Sequence, residues 1–249
     1  CIRDTHLSAP HNHPEAIMRL SIRLSPLLLT AALIASVTVA HANTFRWTRS
    51  ADLSTWDVHA QNVGVNNALH AAVYDTLVEY NSKTFKPEPS LATEWRRVSP
   101  TQLRLSLRKG VTFSDGTPFT ADDAKFSLER AKAKTSNFSI YAQGIDRVEK
   151  VDAHTIDIFS DVPNPVLVNQ LTELRIMSKA WAEKHDSVEP KDIKTKEETF
   201  SNRNALGTGP FTLKSWTPDQ RLVLVANPNW WGKGKYPLNV TEIVYTPIK

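Results

Sequence analysis

A short stretch that follows a predicted strand places the tightest limits on what this chain can fold into. Residues 108–123 read RKGVTFSDGTPFTADD, and residues 102–107 before them read QLRLSL. Leucine at every second position is typical of a strand with one buried face. The chain must therefore leave a sheet, turn within a few residues, and begin a new element.

The same stretch contains a turn and a helix start. Gly116 tolerates a positive φ and Pro118 has its φ fixed by its ring, so both favour a tight turn. Thr120 is placed to cap the helix that follows, because its hydroxyl can accept a free backbone N–H near Asp123. Asp122 and Asp123 lie where the helix dipole stabilises negative charge. We expect a helix from residue 121 to about 132.

Other segments show the periodicity of strands and helices at intervals along the chain. Strands are predicted over residues 44–48 and 240–245, and hairpins over 146–159 and 208–226. Helices are predicted over residues 65–80, after Pro163 and Pro165, and over 179–185. Residues 186–204 are polar and are predicted to form a loop.

Two ordered blocks carry a resemblance to a known family. The first joins residues 92–95 (ATEW), 108–123 and 126–130 (FSLER), and the second begins at residues 207–211 (GTGPF) and ends at 245–248 (YTPI). In this order they resemble the family 5 extracellular solute-binding proteins of bacterial ABC importers, which include peptide and nickel receptors. The resemblance covers nearly all of residues 44–248.

The resemblance implies an α/β fold like that of type II periplasmic binding proteins, with a mixed-sheet lobe and a smaller inserted subdomain. It assigns residues 43–85 and 176–249 to the large lobe and residues 86–175 to the insert. It also implies that this sequence is the N-terminal half of such a protein, with the second lobe missing after residue 249.

The N-terminal residues resemble an export signal. Residues 18–23 (MRLSIR) are basic, residues 27–39 are apolar, and Ala40 and Ala42 supply the small residues of a cleavage site after position 42. We interpret residues 18–42 as a signal peptide and residues 1–17 as an untranslated leader. The expected location of the product is the periplasm.

Charge distribution and cysteine content limit the classes of partner and ligand that the chain is expected to bind. The chain has 249 residues, a formal net charge of +4, and basic residues interspersed with acidic ones. Nucleic-acid binding would favour a basic stripe, so no nucleic-acid partner is expected. The single cysteine is Cys1, which predicts a domain without disulfides and without thiolate metal ligands.

The candidate ligand contacts are Trp56, His59, Gln61 and Tyr141. The resemblance places part of the cleft at the loop after the first strand, which contains the first three of them. An aromatic face supplies apolar contact, and an amide or imidazole can satisfy a ligand hydrogen bond. Each has a simpler interpretation: Trp56 as a core residue, His59 as a brace within its loop, and Tyr141 as part of a loop that does not reach the cleft.

Catalytic residues, a metal site and a cofactor are not expected. The segment after residue 42 contains no zinc-protease, P-loop or nucleophile-elbow motif, and its histidines lack the spacing of a zinc pair. The expected function is that of a monomeric periplasmic receptor, not an enzyme. It would capture a solute, with a di- or oligopeptide as the favoured cargo, and deliver it to an ABC permease. The alternatives are a nickel or metal-chelate receptor and a secreted chaperone-like interaction module.

Overall fold

The computed structural model describes residues 43–195 and 197–248, which belong to one compact unit. The predicted leader and signal peptide lie outside these residues. Among the described residues, none of the helices has the length and apolar character needed to cross a membrane.

In the described part of the chain, ten strands form three sheets. The strands are β1 (Thr44–Arg49), β2 (Val78–Tyr80), β3 (Pro87–Pro89), β4 (Ala92–Ser99), β5 (Gln102–Leu107), β6 (Arg147–Asp152), β7 (Thr155–Phe159), β8 (Phe211–Thr217), β9 (Arg221–Ala226) and β10 (Glu242–Pro247). Sheet 1 has the order β1-β10-β9-β8, sheet 2 has the order β4-β5-β7-β6, and β2 pairs with β3. Sheet 1 is mixed because β1 runs parallel to β10, whereas sheet 2 is antiparallel throughout.

The helices are short and lie between the strands. They are α1 (Gly64–Val73), α2 (Ala121–Ala131), α3 (Ser139–Ala142), α4 (Leu167–Gln170), α5 (Lys179–Lys184) and α6 (Phe200–Arg203), with a 3-10 turn at Ile193–Thr195. α1 packs on β8, and α2 packs on β6 and β7.

Each large sheet has its own apolar core. Under sheet 2 the core includes Leu103, Leu105, Leu107, Ile156 and Ile158, each at most 3% exposed. Under sheet 1 the core includes Trp56, Leu69, Val73, Leu222, Leu224 and Tyr245. The two sheets draw on the segments that the sequence assigns to the insert and to the large lobe. The boundaries of those subdomains stay a prediction.

The start of α2 follows the predicted chemistry. The Thr120 hydroxyl accepts the Asp122 N–H at 3.3 Å, and the Asp123 carboxylate accepts the Thr120 N–H at 2.8 Å. This reciprocal capping satisfies donors that would otherwise lack partners at the helix start. α2 then ends at Ala131, one residue before the predicted end.

Three sequence predictions are corrected by the structure. The predicted helix over residues 65–80 ends at Val73, because Tyr74 is extended (φ −120°, ψ 132°) and β2 follows. The helix predicted after Pro165 is a single turn, Leu167–Gln170. The loop predicted over residues 186–204 contains the helical turn Phe200–Arg203, which Thr199 and Asn202 cap.

Candidate functional site

Trp56 lies in the loop between β1 and α1, but its ring is in the protein interior. It is 0% exposed, and its centroid lies 5.7 Å from the ring of His70. Its backbone N–H donates to Asn202 O at 3.0 Å. In this conformation a solute outside the protein reaches no part of the ring.

His59 is also fully buried and uses both ring nitrogens within the protein. Arg130 Nη1 donates to His59 Nδ1 at 3.1 Å, so Nε2 carries the proton and donates to Arg175 O at 3.2 Å. Burial, followed by the charge of Arg130, lowers the pKa of His59 to about 3. The ring is therefore neutral, and it braces the loop.

Asp57 and Arg130 form a buried ion pair beside His59. Arg130 donates through Nη1 and Nη2 to the two carboxylate oxygens of Asp57, at 2.7 and 2.6 Å. Ser201 Oγ also donates to this carboxylate, and Arg130 Nε donates to Val188 O. Burial would raise the pKa of Asp57, but the charge and hydrogen bonds of Arg130 outweigh it and hold the pKa below its ordinary value. Together, Asp57, His59, Arg130 and Ser201 are called the polar junction below.

Gln61 and Tyr141 lie nearer the surface. Tyr141 lies in the helical turn α3 and not in the predicted loop, and the segment before α3 contacts the loop that contains Gln61. Asn137 donates its backbone N–H to His59 O at 2.9 Å and its Nδ2 to Ala60 O at 2.5 Å. Gln61 therefore directly follows a segment that is hydrogen-bonded to Asn137, just before α3. Tyr141 lies in α3. Both side chains are half-buried, and Gln61 Oε1 accepts from the Ser54 hydroxyl.

Tyr141 lines a surface pocket of about 300 Å³. The pocket lies where α3 meets the segment around α4 and the end of β2. Its walls are aromatic and polar: Tyr80, Tyr141, Asn169, Gln170, Thr172 and Glu173. A concave surface with a few polar groups is the usual form of a small-molecule site.

A second pocket, of about 210 Å³, adjoins the first because Tyr80 and Thr172 line both. It extends along the end of α1 and is also lined by Ala71, Tyr74, Asp75, Thr76, Glu79, Ser90 and Arg175. We call the two pockets together the groove. Gln61 thus lies just before the N-terminal end of α1, and the groove lies at the C-terminal end of the same helix.

Two charged side chains of the groove have contrasting environments. Asp75 Oδ2 accepts from Trp231 Nε1 at 2.8 Å and from Thr208 Oγ1 at 2.9 Å, while burial raises the pKa of its carboxyl. Arg175 is 9% exposed and donates from Nη2 to Asn67 O at 2.9 Å. Its Nε and Nη1 are buried without an acceptor among the described residues.

Metal ligands are not grouped in the part of the chain that the structure describes. Within residues 43–195 and 197–248, no set of three His, Cys, Asp or Glu side chains is positioned to hold a metal ion. The groove therefore offers hydrogen bonds, ring faces and carboxylates to a ligand.

Comparison with known proteins establishes the family. Residues 86–249 match the family model described as "Bacterial extracellular solute-binding proteins, family 5 Middle". The chain belongs to this family. Its members and the relatives below are binding proteins.

Two curated relatives illustrate the similarity. The periplasmic oligopeptide-binding protein OppA of Escherichia coli is 25% identical over 244 residues, covering 88% of this chain and 42% of OppA. The heme-binding protein A of Haemophilus influenzae is 32% identical over 203 residues, covering 73% of this chain and 36% of that protein. The chain thus spans less than half the length of these relatives.

Solved structures agree on the fold. The periplasmic binding protein DppA of Helicobacter pylori, in complex with the peptide STSA, superposes with a TM-score of 0.70 at 26% identity, over 82% of this chain and 42% of DppA. NikZ of Campylobacter jejuni, in complex with Ni(L-His), superposes with a TM-score of 0.70 at 20% identity, over 82% of this chain and 39% of NikZ. The fold is that of a type II periplasmic binding protein of family 5, represented here in part.

Sequence reasoning identified some of these residues and missed others. Gln61 and Tyr141 lie at the surface, while Trp56 and His59 lie in the interior; ligand contact stays a prediction for all four. The Asp57–Arg130 pair was missed because its members are 73 positions apart in sequence. Glu173 and Tyr80 were missed because no local pattern relates them to Tyr141.

Proposed function

We propose that this chain is part of a periplasmic receptor that captures a solute, with a di- or oligopeptide as the favoured cargo, and presents it to an ABC permease. The observation that carries the proposal is membership of family 5. The peptide cargo is supported by the names of OppA and DppA. The receptor would change no covalent bond of the solute.

The geometry supports a binding role because the groove offers recognition without a reacting group. Two of the buried titratable side chains behind it already have partners: Asp57 is paired with Arg130, and His59 donates and accepts within the protein. In the proposed receptor, Gln61 and Tyr141 line one wall of the ligand cleft. A receptor of this type closes a second lobe over such a wall and buries the ligand.

A calorimetric titration of the intact protein with trialanine tests the proposal. We expect 1:1 binding, and a three- to tenfold loss of affinity in Gln61→Ala, in line with about 0.5–1.5 kcal/mol for one hydrogen bond. Gln220→Ala is the matched control, because Gln220 is exposed in the turn between β8 and β9. Absence of binding by dipeptides, tripeptides and longer peptides would exclude a peptide cargo.

A metal chelate is the second candidate, supported by the similarity to NikZ in its Ni(L-His) complex. A chelate brings its own ligands, so the protein needs to supply only hydrogen bonds and shape. Nickel with a twofold excess of histidine belongs in the same titration series. Tight binding of this complex together with indifference to trialanine would favour the chelate over the peptide.

The proposed location follows from the sequence and from relatives that are named periplasmic. We infer export through residues 18–42 and a processed N-terminus at Asn43. N-terminal sequencing of the protein recovered from a periplasmic extract tests this directly. A cytoplasmic product that still carries residues 18–42 would contradict it.

A further inference from the structure

The groove contains a carboxylate that the fold itself does not use. Glu173 lies just after α4, is half-buried, and lines the 300 Å³ pocket. Among the described residues its carboxylate has no hydrogen-bond or ion-pair partner, although Arg175 is close enough to feel its charge. A half-buried carboxylate without a partner loses part of its hydration without compensation.

Two aromatic rings share this pocket with Glu173. Tyr141 is half-buried against Phe138, with ring centroids 6.1 Å apart, and Tyr80 is 49% exposed. Neither tyrosine hydroxyl has a hydrogen-bond partner in residues 43–195 or 197–248. The face of an aromatic ring carries negative potential, so tyrosine attracts a nearby cation.

The charges that a ligand would meet along the groove are mainly negative. No lysine or arginine of the described chain lines the 300 Å³ pocket, and the adjoining pocket adds Glu79. Asp75 also lines the adjoining pocket, but its carboxyl is buried, has a raised pKa and already accepts from Trp231 and Thr208. Among the described residues that line the groove, the one cation is Arg175, whose Nε and Nη1 are buried and whose Nη2 already donates to Asn67 O. Carboxylates and ring faces are therefore what the groove presents to a solute.

We propose that the groove selects solutes that carry an alkyl ammonium or a guanidinium in addition to the α-ammonium that every free peptide has, and that Glu173 is the anionic partner of this added cation beside the rings of Tyr80 and Tyr141. The inference rests on the proposed receptor function and names the chemical class of its cargo. Amide and hydroxyl groups at Asn169 and Thr172 then accept the remaining N–H groups of the cation. Peptides with lysine or arginine side chains belong to this class, as do polyamines.

Titration of the intact protein with three probes tests the proposal. The probes are trilysine, trialanine and agmatine, which carries one ammonium and one guanidinium but no peptide bond. We expect trilysine to bind at least tenfold more tightly than trialanine. Glu173→Gln should weaken trilysine and agmatine about 10- to 100-fold, as for a lost charge-assisted hydrogen bond, and change trialanine less than twofold.

Matched variants separate the carboxylate from the rings. Glu189→Gln is the charge control, because Glu189 is exposed and lines neither pocket. Tyr141→Phe keeps the ring and should retain trilysine affinity within twofold, whereas Tyr141→Leu should lose about two- to fivefold. Glu173→Gln removes no hydrogen bond from the folded state, because the wild-type carboxylate has no hydrogen-bond partner among the described residues, and the substitution keeps the shape of the side chain.

The outcomes distinguish this inference from the proposed function. Equal affinity for trilysine and trialanine, or an unchanged affinity of Glu173→Gln for the cations, overturns the cation site while peptide capture stands. Agmatine binding that depends on Glu173, without binding of any peptide, supports the cation site and removes the peptide cargo. Failure of both trilysine and agmatine to bind overturns the cation site.

Discussion

The polar junction and the core of sheet 2 are equally buried but are built on opposite principles. In sheet 2, Leu105 and Ile156 face each other across β5 and β7 and are stabilised by apolar packing. In the junction, the side chains of Asp57 and Arg130 are 0% and 1% exposed, and each compensates the buried charge of the other. Truncating a side chain in an apolar core therefore lowers stability in proportion to the volume removed. Removing one partner of a buried ion pair leaves the other charge buried and uncompensated.

The largest expected effect comes from removing one member of the buried pair. Arg130→Met leaves Asp57 charged and buried, and we expect the free energy of unfolding to fall by about 3–5 kcal/mol. Urea unfolding of the purified protein measures it. The control is Lys150→Met: Lys150 pairs with Asp122, and the two side chains are 40% and 52% exposed, so the loss should stay near or below about 1 kcal/mol. Equal losses in the two variants would contradict the contrast.

A cavity in the core of sheet 2 should cost about as much or somewhat less. Leu105 is 0% exposed, so Leu105→Ala should lower the free energy of unfolding by about 2–5 kcal/mol. Val151→Ala, at an exposed position on β6, should change it by less than about 0.5 kcal/mol. A Leu105→Ala loss below 1 kcal/mol would mean that the sheet collapses around the cavity.

Acid should destabilise the protein through two buried histidines, His59 of the polar junction and His70 of α1. Burial lowers the pKa of both His59 and His70 to about 3, against 6.5 in the unfolded chain. Below pH 6.5 the unfolded state binds protons at these histidines that the folded state does not bind. The free energy of unfolding is therefore highest above pH 6.5 and falls as the pH drops toward 3. At pH 5 the loss is about 2 kcal/mol for each histidine.

Unfolding curves measured between pH 7.5 and pH 4.5 test this slope. Exchange of His70 for glutamine removes one of the two titrating groups, so the pH dependence in that variant should be about half as steep. A stability that stays level from pH 7 to pH 5 in the wild type would show that the histidines are accessible to protons in the folded state.

The smallest effect concerns the local capping of α2. Thr120→Ala removes the hydroxyl that accepts the Asp122 N–H and should cost about 1 kcal/mol. Thr120→Ser keeps the oxygen and should stay within a few tenths of a kcal/mol of the wild type. If alanine and serine prove equivalent in urea unfolding, the side chain of Asp123 alone maintains the cap.

Elements with local signals were predictable from the sequence. The alternation of residues 102–107 and the turn chemistry before Thr120 correspond to β5 and the start of α2. β4 was not predicted, because it lies at the edge of sheet 2 and most of its side chains are exposed, which leaves no alternating pattern. The helix over residues 65–80 was overextended, because the apolar spacing continues through Leu77 although that residue belongs to a different core.

The candidate site was less predictable than the fold. Gln61 and Tyr141 were chosen from their loops, and Asn137, which connects those loops, has no sequence signature. Trp56 and His59 share the same loop, yet burial depends on partners such as Asn202 and Arg175 that are more than 100 positions away. Contacts at this separation leave no local pattern in the sequence.

Gly207 and Gly209 place the chain directly on the end of α1. A Cβ at Gly207 would lie 2.0 Å from Val73 O, and Gly209 N donates to that same oxygen at 2.9 Å. Gly207 O accepts from Ser114 N, at the turn that leads out of sheet 2 toward α2. The backbone segments that adjoin the two sheets, at Gly207 before β8 and at Ser114 after β5, are thus joined by a direct hydrogen bond. In the proposed receptor, we expect the two sheets to shift as a single body, so that any bending needed to enclose a solute occurs elsewhere.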